Sequence, residues 1–190
     1  MVPLCAFAQA FPSRPVTLVV PFTTGTGIDI LARAIGPKLS ERWKQPVVVE
    51  NRPGASGNIG TDLVAKAAGD GHTLMVTVNT FTMTPALFKG MPYDPVRDIA
   101  PVSKIAVSTY AFLVNPNVFP ANNLAEAIAM IRANPGKYYF ASPGNGTPHH
   151  IGMELIKLRL GLIATHVPYK GFAGAMTDLL GGQVQMMFSL

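Results

Sequence analysis

The stretch PVTLVVPFTTGTGIDILARAIGPKL, residues 15–39, decides how the chain is interpreted. An apolar run at residues 16–22 predicts a buried strand. A loop rich in Gly and Thr follows, and it leads into apolar residues spaced as on one face of a helix. A loop of this kind presents backbone N–H groups at a helix start, where anions bind well. The stretch therefore predicts a strand–loop–helix unit with an anion-binding loop, although a purely structural turn is the alternative.

The helix after this loop is predicted from a stripe of apolar residues, namely Ile28, Leu31, Ile35, Leu39 and Trp43. Asp29 lies in the first turn, where the helix dipole favours a negative charge. Pro37 interrupts the stripe and predicts a kink or an early end of the helix.

The same alternation of short strands and helices continues along the chain. Further strands are predicted at residues 47–50, 73–78, 105–114, 137–142, 165–169 and 184–188, and further helices at residues 59–68, 124–133, 151–160 and 171–180. Residues 85–101 are rich in proline and predict a loop or a short helix. Strands that alternate with helices in this way are typical of an α/β fold with a parallel sheet and right-handed crossovers.

Composition excludes several classes of protein. The 190 residues are 48% hydrophobic and 13% charged, which favours a packed core over disorder. The net charge of +5 is scattered, and nucleic-acid binding would need a concentrated basic face with stacking aromatic residues. The single cysteine, Cys5, excludes an intrachain disulfide framework. The longest apolar runs have the length of strands, so no membrane span is predicted.

The N-terminus has features of a secretory signal. Residues 2–8 form a short apolar stretch, and Ala8-Gln9-Ala10 has the form of a cleavage site, although a basic start is missing. We expect residues 1–10 to be the remainder of a signal peptide. A frayed apolar terminus is the alternative.

Three glycine-rich loops precede helices, at residues 22–29, 51–60 and 142–147. The first lacks the Gly-Lys-Ser/Thr of a P-loop, and Ile30 occupies the place of the third glycine of a dinucleotide fingerprint. Ser56 in the second does not lie in a nucleophile elbow. What remains is a set of amides and hydroxyls suited to carboxylate, phosphate or sulfate.

Catalytic and metal-binding patterns are weak. His149, His150 and Glu154 are too few for a metal site and predict instead a polar first turn of a helix. His166 is expected to fill a hydrogen-bonding niche. Carboxylates are not paired for acid–base work. We therefore expect capture of a ligand without chemistry, cofactor or metal. An enzyme that acts on a phosphorylated or carboxylated small molecule through its Gly-rich loops is the alternative.

Long motifs occur in a fixed order over nearly the whole chain: residues 11–22, the Gly25/Gly27/Asp29 loop, PVVVENRPGASGNIG (46–60), MPYDPVRDIAPVS (91–103), YFASPGNGTPHH (139–150) and HVPYKGFAGAMTDLLGGQVQMMF (166–188). In these motifs the chain resembles the Bug family of extracytoplasmic solute receptors, the binding components of tripartite tricarboxylate transporters. The resemblance implies a periplasmic binding protein-like fold (type II, Venus flytrap), with two lobes that close on a small carboxylate such as a dicarboxylate.

The resemblance also implies the lobes and the ligand contacts. It places the first lobe at residues 11–103 and the second at residues 104–190. The implied contacts are Phe22, Thr23, Thr24, Gly25, Thr26, Gly27, Asp29, Ala55, Ser56, Asn58, Asn79 and Thr80 from the first lobe, and Ser142, Asn145, Gly146, Thr147, Tyr169, Lys170 and Gly171 from the second. The implied protein is a periplasmic monomer that delivers its ligand to membrane transporter subunits. A sensor that reports ligand to another partner is an alternative.

Two features depart from the family pattern. Thr26 stands where the family usually has Gly, and Ile28 stands where a small or polar residue is common. Both are expected to alter ligand choice or to weaken the carboxylate site. Family members are also longer, and their chain returns to complete the first lobe. We therefore expect a copy that is incomplete at its C-terminus, for which a non-functional fragment is an alternative.

Overall fold

A computed structural model describes residues 10–190, and within them the chain forms two α/β units, each built on its own sheet. Most of the predicted signal-like segment, with Cys5, lies outside the described residues. No helix within residues 10–190 combines the length and the apolar character that a membrane crossing requires.

The N-terminal unit is a three-stranded parallel sheet with its helices. Its elements are β1 (Val16–Val20), α1 (Gly27–Trp43), β2 (Val47–Asn51), a 3-10 turn (Ala55–Gly57), α2 (Asn58–Ala65), β3 (Thr73–Met75) and α3 (Thr80–Leu87). The strand order is β2-β1-β3, so that Leu18 of β1 lies beside Val49 on one side and Leu74 on the other. Because β1 is the central strand, four of its five residues are buried.

The C-terminal unit has a four-stranded sheet with helices on both faces. Its elements are β4 (Ala111–Val114), α4 (Leu124–Ala133), β5 (Tyr139–Ser142), α5 (Pro148–Leu160), β6 (Thr165–Pro168), α6 (Phe172–Leu180) and β7 (Met186–Ser189). The order is β4-β7-β5-β6, with β4 antiparallel to β7 and the other pairs parallel.

Alternation along the strands divides the core of the C-terminal unit into two layers. Phe140 and Met186 pack with Ile131 of α4 and Met153 of α5. The next residue of each strand faces the other way, and Ala141 and Met187 pack with Ala175 and Leu179 of α6. The predicted α/β class is therefore confirmed in both units. Loops at the carboxyl ends of their parallel strands carry the glycine-rich segments.

The structure corrects four local predictions. Helix α1 does not end early at Pro37 but continues to Trp43, because Pro37 lies on the exposed face, where water can satisfy the carbonyl of Arg33. Of residues 105–114 only Ala111–Val114 is a strand, and these four residues pair with Met186–Ser189 of β7. Thr80, one of the implied ligand contacts, begins α3, and no helix was predicted at residues 80–84.

The fourth correction concerns the start of α5. The helix begins at Pro148, earlier than the predicted residue 151. Thr147 is its N-cap, and proline is well suited to the first helical position because its missing N–H has no partner there.

Candidate functional site

A cavity of ≈ 260 Å³ lies between the two units, where the loops that follow β1 and β5 meet the start of α6. It is lined by Phe22, Gly25, Thr26, Gly27, Ile28, Ile30, Val78 and Thr80 from the N-terminal unit and by Tyr110, Pro143, Thr147, Pro148, His149, Phe172 and Leu190 from the rest of the chain. This size suits a small molecule better than a macromolecular ligand.

Four helices direct their first turns at this cavity. Gly27 and Ile28 begin α1, Thr80 begins α3, Pro148 begins α5 and Phe172 begins α6. The first amides of a helix have no partner within the helix, and its dipole makes this end positive. Helix starts from both units therefore create an electropositive environment in the cavity.

The first loop is organised from within by the carboxylate of Asp29, which is 1% exposed. It accepts hydrogen bonds from the Gly25 amide at 2.9 Å, from Nε of Arg33 at 3.0 Å and from Nδ2 of Asn51 at 2.9 Å. Burial raises the pKa of Asp29, but these bonds outweigh it and hold the pKa below the usual value. The carboxylate is thus saturated by loop and helix groups.

Thr26 occupies the N-cap position of α1 without capping it. Its hydroxyl donates instead to the carbonyl of Thr23 at 3.0 Å. The amides of the first turn are therefore not covered by their own cap residue, and Gly27 and Ile28 lie at the cavity. The Thr26 side chain thus acts on its own loop and not on the helix start.

The second loop connects the two units. Ser56 has a left-handed backbone, with φ of 56°, and its hydroxyl donates to the backbone carbonyl of Asn145 at 2.5 Å. A second close approach lies nearby, because a Cβ on Gly171 would be 3.1 Å from Cγ2 of Thr23. The predicted first, second and third loops are therefore brought together across the boundary between the units.

The third loop is held by its own side chains and by two histidines. Thr147 Oγ1 donates to the Gly144 carbonyl at 2.8 Å and accepts from the His150 amide. The Gly146 amide donates to Nδ1 of His150 at 3.1 Å. Nε2 of His166 lies 2.7 Å from Oγ of Ser142, which confirms the predicted hydrogen-bonding niche.

The two histidine rings beneath this loop stack, with centroids 3.9 Å apart and planes 12° apart. Burial lowers the pKa of both, and the neighbouring His150 contributes to bringing the pKa of His166 to about 4. Neutral rings are consistent with this geometry, since Nδ1 of His150 must accept a hydrogen bond.

The Ser142–His166 pair does not form a reactive couple with the cavity. Ser142 is fully buried, and its hydroxyl donates to the Gly144 carbonyl at 3.0 Å. Neither residue is among those that line the cavity within the described part of the chain. Residues 10–190 also contain no group of three His, Cys, Asp or Glu side chains arranged to hold a metal.

The structure separates the predicted contact residues into three sets. Six of them line the cavity: Phe22, Gly25, Thr26, Gly27, Thr80 and Thr147. Thr23, Ser56, Ser142, Asn145, Gly146 and Gly171 form the packed loops around it. The third set comprises residues directed elsewhere or on the surface: Thr24, Asp29, Ala55, Asn58, Asn79, Tyr169 and Lys170.

Besides Asp29, two residues of the third set have side chains that are engaged within the protein. Asn58 Oδ1 accepts from the Tyr93 hydroxyl at 2.6 Å, and the Tyr169 hydroxyl donates to Asp178 at 2.5 Å. Burial and the bond to Asp178 raise the pKa of Tyr169 to about 12. Which of the predicted residues touch a ligand remains a prediction.

Sequence reasoning missed most of the apolar lining. Tyr110, His149 and Phe172 form an aromatic wall, with the His149 ring centroid 5.2 Å from that of Tyr110 and 6.2 Å from that of Phe172. Burial lowers the pKa of His149 to about 4. These residues are 39 and 23 positions apart, so no local pattern could have joined them.

Residues 31–190 match the family described as "Tripartite tricarboxylate transporter family receptor", TctC. Protein BugT of Bordetella pertussis is 38% identical to this chain over 179 residues, which cover 93% of the chain and 55% of BugT. The chain spans about half the length of the curated relatives that it matches.

Several solved structures share this fold. An R. palustris protein determined with adipate is 38% identical, with a TM-score of 0.89 over 94% of this chain and 60% of that chain. MatC from Rhodopseudomonas palustris with bound malate is 33% identical, with a TM-score of 0.84 over 94% of this chain and 61% of that chain. These matches confirm the predicted periplasmic binding protein architecture and the resemblance read from the motifs. The chain belongs to the TctC family of receptors, whose members are binding proteins of tripartite tricarboxylate transporters.

Proposed function

We propose that this chain captures a small carboxylate in the cavity between its two units and delivers it, chemically unchanged, to membrane subunits of a tripartite tricarboxylate-type transporter. The observation that carries the proposal is the convergence of four helix starts, from both units, on one cavity. In this proposal the protein acts as a monomer in the periplasm.

The relatives support the carboxylate as the ligand class. One solved relative holds adipate and another holds malate. The cavity of this chain offers a matching electrostatic environment, because the first-turn amides of α1 are left uncapped by Thr26. The proposed contacts are the predicted residues that line the cavity, together with the loops bridged by Ser56 and Asn145.

Titration calorimetry with a panel of mono- and dicarboxylates tests the proposal. We expect saturable binding by the unmodified chain and recovery of an unchanged ligand by NMR after prolonged incubation. Absence of heat with every acid would contradict capture. Conversion of a ligand would instead favour the alternative of a Gly-loop enzyme.

Gly171→Ala and Gly161→Ala provide a matched pair for the same assay. Both glycines have positive φ, 155° and 61°, so both substitutions strain the backbone. Only the Cβ at position 171 meets the opposite unit, at Thr23, whereas nothing lies within 4 Å of one at position 161. We expect Gly171→Ala to weaken carboxylate binding by about tenfold and Gly161→Ala to leave it unchanged.

A further inference from the structure

One wall of the cavity is aromatic. The Tyr110 ring meets His149 edge-on, at 80°, and stacks on Phe188 with centroids 5.2 Å apart. Phe172 continues the wall on the other side of His149. The half-buried His149 ring is shielded from water, which lowers its pKa to about 4, so at neutral pH the ring is uncharged. A wall of this kind favours hydrocarbon over hydrated groups.

The N-terminal unit adds aliphatic and aromatic surface to the cavity. Phe22, Ile28 and Val78 line it. Within the described residues the lining contains no Lys, Arg, Asp or Glu. Charge recognition in this cavity therefore falls to the helix starts and not to ion pairs.

Among the described residues four hydroxyl groups line the cavity, those of Thr26, Thr80, Tyr110 and Thr147, and two of them are already engaged. Thr26 donates to the Thr23 carbonyl, and Thr147 donates to the Gly144 carbonyl. Thr80 differs, because it is 2% exposed and its Oγ1 has no hydrogen-bond partner among the described residues. The Thr80 and Tyr110 hydroxyls, Nδ1 of His149, which also has no partner among the described residues, and the first-turn amides can serve a carboxylate group. These polar groups are too few for a ligand that carries hydroxyls along its whole length.

We infer that the ligand of this cavity is a carboxylate with a hydrocarbon body, aliphatic or aromatic, and not a hydroxylated acid. The inference rests on the proposed function, because it specifies the ligand class of the same cavity. Its physical basis is that each hydroxyl placed against Ile28, Val78 or Phe172 would lose water without gaining a partner.

Pairs of acids that differ only in hydroxylation test the inference. Hexanoate is paired with gluconate, and adipate with galactarate; hexanamide controls for the carboxylate charge. We expect the hydrocarbon member of each pair to bind at least about tenfold more tightly in calorimetry, since a pocket built for hydrocarbon excludes a group whose polar atoms it cannot satisfy.

The results separate the inference from the proposed function. Tighter binding of gluconate or galactarate, or equal binding within a pair, would overturn the hydrocarbon class while leaving carboxylate capture intact. Hexanamide binding as tightly as hexanoate, or no binding by any acid, would overturn the proposed function and the inference with it.

Ile28→Thr tests whether the cavity wall sets the preference. We expect this variant to reduce the ratio of the affinity for hexanoate to the affinity for gluconate by about threefold or more, because the new hydroxyl gives a polar ligand a partner. Ile163→Thr is the matched control, since Ile163 is exposed and lies beyond the far end of α5. A ratio that is unchanged in correctly folded Ile28→Thr, checked by circular dichroism, would contradict the role of this wall.

Discussion

The first and third glycine-rich loops look alike in sequence, but the helices that follow them are capped differently in the structure. Each follows a parallel strand, opens a helix and contains a glycine with positive φ, 83° at Gly25 and 76° at Gly146. Thr147 caps α5 by accepting from the His150 amide, whereas Thr26 leaves α1 uncapped. Glycine content therefore does not reveal which helix start has its amides capped by its own loop; the hydrogen bonds of the cap residue do.

The two loops also differ in what anchors them. An ionised carboxylate, Asp29, ties the first loop to Arg33 and Asn51. Two stacked histidines with lowered pKa, His150 and His166, support the third. The stability of the first loop should therefore depend on an ionised carboxylate, and that of the third loop on histidine rings that stay uncharged.

Asp29→Ala should have the largest effect. It removes the buried acceptor shared by the Arg33 guanidinium, the Asn51 amide and the Gly25 amide, and we expect the free energy of unfolding to fall by about 3 kcal/mol. Urea unfolding at pH 7 measures the change. The control is Glu41→Ala, an exposed acid of the same helix, for which we expect a change within about 0.5 kcal/mol. Equal effects would show that Asp29 does not anchor the loop.

The second-largest effect on stability should come from acidification, which acts on the third loop. The pKa of His166 is about 4 in the folded protein and 6.5 for the free side chain, so the unfolded state takes up the proton first. The stabilisation is complete above about pH 6.5 and is lost as the pH falls towards 4. Between pH 7.5 and 5 the titration of this histidine should lower the free energy of unfolding by about 1 kcal/mol, after allowance for the partial exposure of the ring to solvent.

His166→Gln tests this contribution, because glutamine can still bond to Ser142 but does not titrate. The charged and titratable groups around the ring are His150, Glu154 and Lys157, and they stay in place. We expect the urea midpoint of the variant to fall less between pH 7.5 and 5 than that of the unmodified chain. Identical pH dependence would exclude His166 as the titrating group.

The smallest effect should come from the cap residues themselves. Thr147→Ala removes the N-cap of α5 and should lower the free energy of unfolding by about 1 kcal/mol. Thr26→Ala removes no cap and only a part-buried bond to Thr23, so we expect at most about 0.5 kcal/mol. Thermal or urea unfolding of the pair ranks them. A larger loss of stability for Thr26→Ala would contradict the conclusion that Thr147 caps its helix and Thr26 does not.

The sequence was sufficient where structure is local. The strand–loop–helix of residues 15–39 follows from apolar spacing and turn residues within one short window. Helix α3 was missed because TFTMTPAL combines threonines with Pro85, which are poor helix formers. Its helical form depends on tertiary burial of Thr80 and Thr84, which no window of sequence reveals.

The candidate site was only partly predictable for the same reason. The glycine-rich loops could be found, and the structure does gather them. Whether the side chain of a carboxylate such as Asp29 is directed towards the ligand or into its own loop depends on Arg33, in the same helix, and on Asn51, in strand β2. The aromatic wall joins Tyr110, His149 and Phe172 from separate elements, and only the folded chain brings them together.

The bridge from Ser56 to Asn145 has a consequence for mutational tolerance. Its donor is a side chain and its acceptor is a backbone carbonyl. Any amino acid at position 145 would present the same carbonyl, whereas position 56 must supply a short hydroxyl from a left-handed backbone. Random mutagenesis should therefore show that most substitutions at position 145 keep the bridge, whereas most substitutions at position 56 remove it.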